Sequence, residues 1–259
     1  MNLRADINWW ITRLYAHFIA KQQLSSDSQH LLVACQPKSG STYLTRIISC
    51  LPDFRTASLV PGYGRREQEL DASLLASFHS SNYVAHHHVR YSEATGVLLN
   101  RFHVKPVVLV RDIFDIVVSL RDHFRRESVE SSMGFVFPYM KDWPDAQLEG
   151  FIARMIVPWY FNFYLSWLEC ENRFMLNYED LRTDAFSAVM SINDHFSLGY
   201  DSVAINRAVE LANSSFTRKN QAIAGRGASL DAATKDAIYV MASYYDGVDF
   251  SPMGIFPNE

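Results

Sequence analysis

Two short polar segments, each of which directly follows an apolar run, contain the residues best suited to chemistry. The first is Gln36–Tyr43, in which Lys38 supplies a positive charge and Gly40 permits a sharp backbone turn. Amides that follow such a turn at the start of a helix bind anions. Three hydroxyl side chains add donors: Ser39, Ser41 and Thr42. The segment predicts a phosphate cradle, the alternative being a strand–turn–helix connection with a serine N-cap.

This cradle is not the G-x-x-x-x-G-K-[ST] nucleotide loop, because it has one glycine and Lys38 precedes it. The second polar segment is Arg111–Ser119. Arg111 stands at the end of a predicted strand, and Ser119 lies two turns into the helix that follows. A guanidinium and a hydroxyl so placed can hold one phosphate between them. The alternative is an Arg111–Asp115 ion pair at the helix start, with Ser119 on the surface.

Short apolar runs that alternate with helical patterns must position these segments. Strands are predicted at Leu31–Cys35, Tyr83–His88, Val107–Val110 and Phe174–Tyr178. Helices are predicted from Ser41 to Leu51, over Phe114–Phe124, over Leu148–Cys170, and from Leu181 and Val203. This alternation predicts an α/β fold with a parallel sheet covered by helices on both faces. Such sheets bind ligands beyond the carboxyl ends of their strands, where both polar segments lie.

Composition limits the class of protein. The chain has 259 residues, of which 48% are hydrophobic and 20% charged, as in an ordered globular protein. A net charge of −4 argues against a nucleic-acid-binding protein, which needs a basic surface. Three cysteines, Cys35, Cys50 and Cys170, cannot all pair and lack metal-ligand spacing, so we expect a reducing, cytoplasmic compartment.

The N-terminal segment is apolar on one side. Trp9, Trp10, Ile11, Leu14 and Phe18 recur at helical spacing, interrupted by polar residues. The pattern predicts an amphipathic helix within residues 1–29 that packs on a single domain at 30–259, with peripheral membrane contact as the alternative. It is too short to span a bilayer, and no other stretch approaches 18 apolar residues.

The two polar segments together resemble motifs of one enzyme family, the PAPS-dependent sulfotransferases. Pro37–Thr42 resembles the family's 5′-phosphosulfate loop, and Arg111–Ser119 resembles its 3′-phosphate motif, R-D-P-x-D-x-x-x-S. Four further segments resemble family motifs, and all of them follow the family's order along residues 31–230: His88–Tyr91, Asn177–Leu181, Ser214–Ser215–Phe216 and Gly225–Gly227.

The resemblance implies a role for each segment. Tyr178, and the segment that contains Ser214 and Phe216, would contact adenine, and Arg226 with Gly227 would close over the nucleotide. The sequence also departs from the family. Ile113 replaces a proline, Tyr43 replaces a frequent tryptophan, and the shortened segment before Gly225 makes two residues rivals of Arg226 for the 3′-phosphate: Arg218 and Lys219.

The implied reaction moves a sulfuryl group from 3′-phosphoadenosine 5′-phosphosulfate (PAPS) to a hydroxyl or amine, leaving 3′-phosphoadenosine 5′-phosphate (PAP). Lys38 would stabilise charge on the bridging oxygen during in-line transfer, without a metal. A histidine is the natural base at neutral pH. The alignment favours His88, with His86 as the fallback on the same strand face and His87 on the other. A metal site at these histidines lacks acidic or thiol partners at suitable spacing.

The remaining histidines, which include His79, His103 and His123, are expected to be surface or structural residues. Met133–Met140 and Trp143 are expected to wall the acceptor site, whereas aromatic residues of the long helix usually serve core packing: Trp159, Tyr160, Phe163 and Trp167. The acceptor is expected to be a lipid-like, carbohydrate or other small molecule, and a homodimer is possible. Two rivals remain, a P-loop kinase-like enzyme and a non-catalytic nucleotide-binding protein of the same fold.

Overall fold

The computed structural model of the chain describes residues 26–62, 66–215 and 224–256. These residues form a five-stranded sheet in the order β2-β3-β1-β4-β5. The strands are β1 His30–Cys35, β2 Arg55–Thr56, β3 Tyr83–His87, β4 Val104–Val110 and β5 Phe174–Asn177. Every pairing is parallel. The predicted α/β class is therefore confirmed.

Helices connect the strands and cover both faces of the sheet. Their bounds are α1 Ser41–Ser49, α2 Ala72–Phe78, α3 Glu93–Arg101, α4 Ile113–Arg126, α5 Asp145–Met155, α6 Val157–Leu168, α7 Tyr178–Thr183, α8 Ala185–Phe196, α9 Ser202–Ser215 and α10 Ala232–Ala242. Short 3-10 turns occur at Pro138–Asp142, Arg226–Ser229 and Ser251–Met253.

Each face of the sheet has its own apolar core. Helices α1, α7, α8 and α9 pack on one face, against strand residues such as Val33 and Leu109. Helices α3, α4, α5, α6 and α10 pack on the other, against residues such as Ala34 and Val108. Because β1, β3 and β4 are covered on both sides, nearly all of their residues are buried, instead of every second one.

Several predicted boundaries were wrong. β4 begins at Val104 rather than Val107, and α1 ends at Ser49 rather than Leu51. The single helix over Leu148–Cys170 is two helices, α5 and α6, that meet at Ile156. Pro158 explains the break, since it has no N–H to continue the hydrogen bonding of α5. The strands predicted to reach His88 and Tyr178 end one residue earlier in each case, and Tyr178 begins α7.

The N-terminal prediction falls mostly outside the described residues. Residues 1–25, which contain the amphipathic pattern, lie there, so the helix and its boundary with the domain stay predictions. Among the helices that the structure describes, none is both long and apolar enough to cross a bilayer.

Candidate active site

The loop after β1 has a backbone shaped for ligand approach. Lys38 has a φ of 69° and Gly40 a φ of 85°, so two residues in three are left-handed. A Cβ at Gly40 would lie 2.6 Å from the Tyr178 ring, so only glycine fits at this position without overlap. Gly40 also caps α1 without a side-chain hydrogen bond, and the first-turn amides of a helix have no partner within it. The backbone amides at the start of α1 therefore lie directly after Lys38 in one short loop.

The predicted hydroxyl donors of this loop differ in where they lie. Ser39 is buried, and its Oγ donates to the Gln36 carbonyl oxygen at 2.6 Å, so this hydroxyl shapes the turn. Ser41 is also buried, at the start of α1, whereas Thr42 is exposed beside it. Of the three hydroxyls, that of Thr42 is the most open to solvent.

Arg111 joins the ends of β1 and β4. Its Nη1 donates to the Lys38 carbonyl oxygen at 3.0 Å, and its Nη2 lies 3.3 Å from Asp115 Oδ2. The guanidinium carbon lies 4.3 Å from the centre of the Tyr178 ring. The ion pair that was the alternative reading of Arg111 is therefore present, and it holds the buried side chain against the Lys38 loop. The structure thus brings Lys38, Arg111 and Tyr178 together.

Gln36 and Tyr160 also brace this junction, although the sequence pattern gave Gln36 no role of its own and indicated only core packing for Tyr160. Gln36 Oε1 accepts the Arg111 N–H at 3.2 Å, and the Tyr160 hydroxyl donates to the Pro37 carbonyl oxygen at 3.2 Å. A polar residue directly after the buried strand β1 was the available signal for Gln36. Tyr160 lies among core aromatics, so its sequence context indicated only packing.

Asp115 connects α4 to the late glycine segment. Its carboxylate accepts the N–H groups of Gly225 and Gly227 at 3.1 and 2.8 Å. Arg226 Nη2 donates to Asp122 on the same helix. Ser119 lies half-buried one turn from Asp115 and one turn from Asp122. The segment predicted to close over the nucleotide therefore lies along the Ser119 side of α4, although the Arg226 guanidinium is engaged by a carboxylate.

The predicted adenine contacts are only partly within the described residues. The Tyr43 hydroxyl donates to Asn213 Oδ1 at 2.8 Å, which fastens α1 to the end of α9. Ser214 follows Asn213 and is exposed. Phe216 and the two rivals of Arg226, Arg218 and Lys219, lie outside the described residues.

His88 lies one residue beyond β3 and contacts the last residue of β1. Its Nδ1 is 2.8 Å from the Cys35 carbonyl oxygen, and that oxygen can only accept, so Nδ1 carries the proton. Nε2 is then the ring atom with a lone pair. Burial lowers the pKa of His88, and the nearby His86 lowers it further. The hydrogen bond to the Cys35 carbonyl oxygen raises this pKa, but by less. The imidazole is therefore held as a neutral base.

The other two histidines of the run differ from His88. His87 Nε2 accepts the Leu59 N–H at 2.9 Å, and burial lowers its pKa to about 3. The Nε2 lone pair of His87 is thus used in a structural hydrogen bond with the Leu59 N–H. His86 is half-buried with a pKa lowered by burial, on the strand face that also bears Val84. The geometry gives His88 a fixed tautomer, and the choice of base stays a prediction.

His123, expected to be a surface or structural residue, is paired with a carboxylate that also approaches Lys38. It is half-buried on α4, and its Nδ1 lies 3.1 Å from Glu127 Oε2. The other oxygen of Glu127 lies 3.9 Å from Lys38 Nζ. Burial lowers the pKa of Lys38, and Glu127 opposes that shift. The chain therefore places a carboxylate, and the imidazole paired with it, on the Lys38 side of α4, and no sequence pattern linked either of them to Lys38.

The aromatic rings of the predicted acceptor wall are exposed or half-buried. Phe135, Phe137 and Tyr139 are exposed and contact one another in sequence order. The four aromatics expected to pack in the core are buried, as predicted: Trp159, Tyr160, Phe163 and Trp167. Trp159 Nε1 also donates to Glu67 Oε1 at 2.6 Å.

Gln68, which follows Glu67 in the chain, accepts the His88 backbone N–H at 2.6 Å.

A separate cavity of about 790 Å³ opens at the opposite edge of the sheet, beside the first residues of β4. Tyr91, the last residue of the His88–Tyr91 segment, lines it, whereas Lys38, Arg111 and His88 do not, so the cavity is separate from the candidate site. Within residues 26–62, 66–215 and 224–256, no three histidine, cysteine or acidic side chains are grouped as a metal site would require.

The chain belongs to the Sulfotransferase domain family, which matches residues 28–225. Among solved structures, it is similar to the mouse sulfotransferase SULT7A1 complexed with PAP. The TM-score is 0.62, with 14% identity over 89% of this chain and 88% of that one. It is also similar to retinol dehydratase in complex with androsterone and the inactive cofactor PAP. That TM-score is 0.54, with 16% identity over 85% of this chain and 82% of that one. No curated protein matches the sequence.

Proposed function

We propose that this protein transfers a sulfuryl group from PAPS to a hydroxyl or amine of a small-molecule acceptor. The observation that carries the proposal is the contact between the Lys38 loop and Arg111, which draws two anion-binding strand ends into one site. The mouse sulfotransferase of similar fold is complexed with PAP, which supports the same nucleotide here.

The residues present fit a doubly phosphorylated nucleotide. The cap residue Gly40 has no side chain to occupy the α1 amides, and Lys38 lies beside them, which suits a 5′-phosphosulfate. Arg111 with Ser119 suits a 3′-phosphate. PAPS, when bound, supplies a sulfuryl group attached to a phosphate that acts as the leaving group.

Lys38 is placed to stabilise the charge that develops on the leaving phosphate oxygen. A cation already aimed at that atom needs no reorganisation during the reaction, which makes it the largest single contribution available. Arg111 holds the Lys38 carbonyl oxygen, so it fixes the backbone from which the ammonium group projects. The chain's groups meet the phosphates in this scheme without a metal ion.

His88 is proposed to take the proton of the attacking acceptor. Its Nδ1 is committed to the Cys35 carbonyl oxygen, which leaves Nε2 to accept that proton. The pKa, lowered mainly by burial, keeps Nε2 unprotonated at neutral pH. The same contact with Cys35 places the imidazole at the end of β1, where the Lys38 loop begins.

Calorimetric titration of the purified protein with PAP, with and without Mg²⁺, tests the proposal. We expect PAP to bind equally well in both conditions, and radiolabelled sulfate from PAPS to appear on an acceptor. Mg²⁺-dependent hydrolysis of ATP would instead support a kinase-like enzyme. PAP binding without transfer to any acceptor would support a non-catalytic nucleotide-binding protein.

A further inference from the structure

His88 lies beyond the strand pairings that hold β3 in the sheet. On one side of β3, the pairing with β2 covers Tyr83 and Val84, and on the other side, the pairing with β1 ends at His87. The main chain at His88 therefore depends on contacts outside the five strands. Because an imidazole projects from its own main chain, those contacts also determine where the proposed base points.

Gln68 makes such a contact through its side chain. Its Oε1 accepts the His88 backbone N–H at 2.6 Å, and an isolated parallel bridge joins Gln68 to Val89. The amide oxygen thus does for His88 what the carbonyl oxygen of a neighbouring strand does for a residue within a sheet. The bond is partly buried, so water competes poorly for the His88 N–H.

The residue before Gln68 anchors this part of the chain. Glu67 Oε1 accepts a hydrogen bond from Nε1 of the buried Trp159 on α6, at 2.6 Å, and lies 3.6 Å from Arg90 Nη2. One carboxylate therefore connects α6 to the segment that follows His88. Because Glu67 is held in this way, the backbone of Gln68 is already restricted, and less entropy is lost when its side chain bonds to His88.

Two hydrogen bonds therefore hold His88 at its two ends. Gln68 holds the main-chain nitrogen, and the Cys35 carbonyl oxygen holds Nδ1 at 2.8 Å. With both ends fixed, rotation of the side chain is restricted and Nε2 points in one direction. A catalytic group displaced by about 1 Å can lose on the order of 10² in rate, so this restriction bears on proton transfer.

We propose that Gln68 is a positioning residue, which directs His88 Nε2 toward the acceptor by fixing the main chain from which the imidazole projects. Gln68 itself contacts no reacting atom in this scheme. The catalytic part of the inference rests on the proposed function, whereas the effect on the imidazole is a property of the chain alone.

Nitrogen NMR of histidine-labelled protein at pH 8 reports the tautomer of His88, with the His88→Asn spectrum as the assignment. We expect wild type to carry the proton on Nδ1 alone. Gln68→Met has a similar length but no acceptor oxygen, so the imidazole should lose its fixed bond to Cys35 and show both tautomers. Gln68→Glu keeps an acceptor oxygen and should show the Nδ1 tautomer alone.

Gln29→Met is the matched control, because Gln29 is also half-buried and its Oε1 accepts a hydrogen bond from Lys105 at the opposite edge of the sheet. Its His88 signals should match those of wild type. Gln68→Asn, whose oxygen falls one methylene short, replaces Gln68→Met if the latter does not fold. A single Nδ1 tautomer in the folded variant that lacks the bond overturns the inference, as does an Nε2 proton in wild type.

Turnover of 4-ethylphenol with PAPS measures the catalytic consequence. In Gln68→Met, kcat should fall about tenfold while KM for PAPS is unchanged, because a displaced base slows transfer without altering the donor site. In the His88→Asn background, the same substitution should change kcat by less than about twofold, since Gln68 acts only through His88.

Equal losses of kcat in the two backgrounds would show a general structural role and overturn the inference. A wild type that binds no PAP and transfers no sulfuryl group contradicts the proposed function instead. In that case the NMR comparison still decides whether Gln68 positions the imidazole of His88.

Discussion

At the scale of single residues, Lys38 combines an unfavourable backbone conformation with a useful side chain. A positive φ is uncommon for residues other than glycine and costs of the order of 1 kcal/mol or more. The Arg111 bond to its carbonyl oxygen holds the residue in that conformation. Strain of this kind often marks a functional position, which agrees with the role proposed for the Lys38 ammonium group.

Lys38→Met should lower the turnover number by about 10²–10³. The variant keeps the aliphatic stem and removes only the charge, so the melting temperature should change little. Lys141→Met, at an exposed lysine on the 3-10 turn, is the control and should retain wild-type turnover. Turnover of Lys38→Met within threefold of wild type would remove Lys38 from the mechanism.

His88 should determine the acid limb of the pH profile of kcat/KM. Because burial lowers its pKa below the ordinary 6.5, activity should persist at pH 6.5 and decline as the pH falls through the lowered value. His88→Asn should lose about 10²–10⁴ in rate, together with that limb. If His86→Asn loses the limb and His88→Asn keeps it, the base is His86.

At the scale of elements, α4 organises the site. Arg111 lies just before it, Asp115 and Ser119 follow along one side, and Glu127 follows its last turn. The proposed 3′-phosphate residues and the glycine segment therefore share one helix. A shift of α4 would change both parts of the proposed donor site together.

Gly227→Ala tests how closely the glycine segment packs on α4. A Cβ at this position would overlap Phe114 and lie 3.0 Å from the Asp115 backbone nitrogen. We expect a loss of about 1–3 kcal/mol in unfolding free energy, with weaker PAP binding, measured by denaturation and calorimetry. Gly62→Ala is the control, since nothing lies within 4 Å of a Cβ there. Equal behaviour of the two variants would mean that the segment does not pack closely on α4.

The sequence predicted the elements that carry the site better than it predicted how they meet. Buried parallel strands give uniform apolar runs, so β1, the end of β4 and the polar residues after them were recognisable. The contacts of Asp115 with Gly227 and of Glu127 with Lys38 join residues far apart in the chain, and no local pattern encodes them. The break at Ile156 was missed because α5 and α6 are apolar on both sides of it.

At the scale of the whole molecule, buried histidines should make stability depend on pH. His87 has a folded pKa of about 3, against about 6.5 when unfolded, so acid protonates the unfolded chain first. Stability contributed by this residue is complete above pH 6.5 and declines as the pH falls, by about 1.4 kcal/mol at pH 5.5. Protonation of Nε2 would also break its bond from the Leu59 N–H.

Urea unfolding at pH 7.5 and pH 5.5 measures this effect. His87→Gln keeps an acceptor for Leu59 but cannot titrate, so its loss of stability between the two pH values should be smaller by about 1.3 kcal/mol. His195→Gln, at an exposed histidine on α8, should behave like wild type. A wild-type pH dependence in His87→Gln would show that other groups produce it.

The central claim is that the loops after β1 and β4 hold one doubly phosphorylated nucleotide between them. The most direct measurement compares the affinities of wild type, Ser119→Ala and Arg111→Lys for PAP and for adenosine 5′-phosphate. We expect Ser119→Ala to bind PAP about tenfold more weakly, because it loses a hydrogen bond to the 3′-phosphate, with little change for adenosine 5′-phosphate. Arg111→Lys also removes the bond to the Lys38 carbonyl oxygen, so it should weaken the binding of both nucleotides, and that of PAP more. Equal losses for the two nucleotides would contradict the claim.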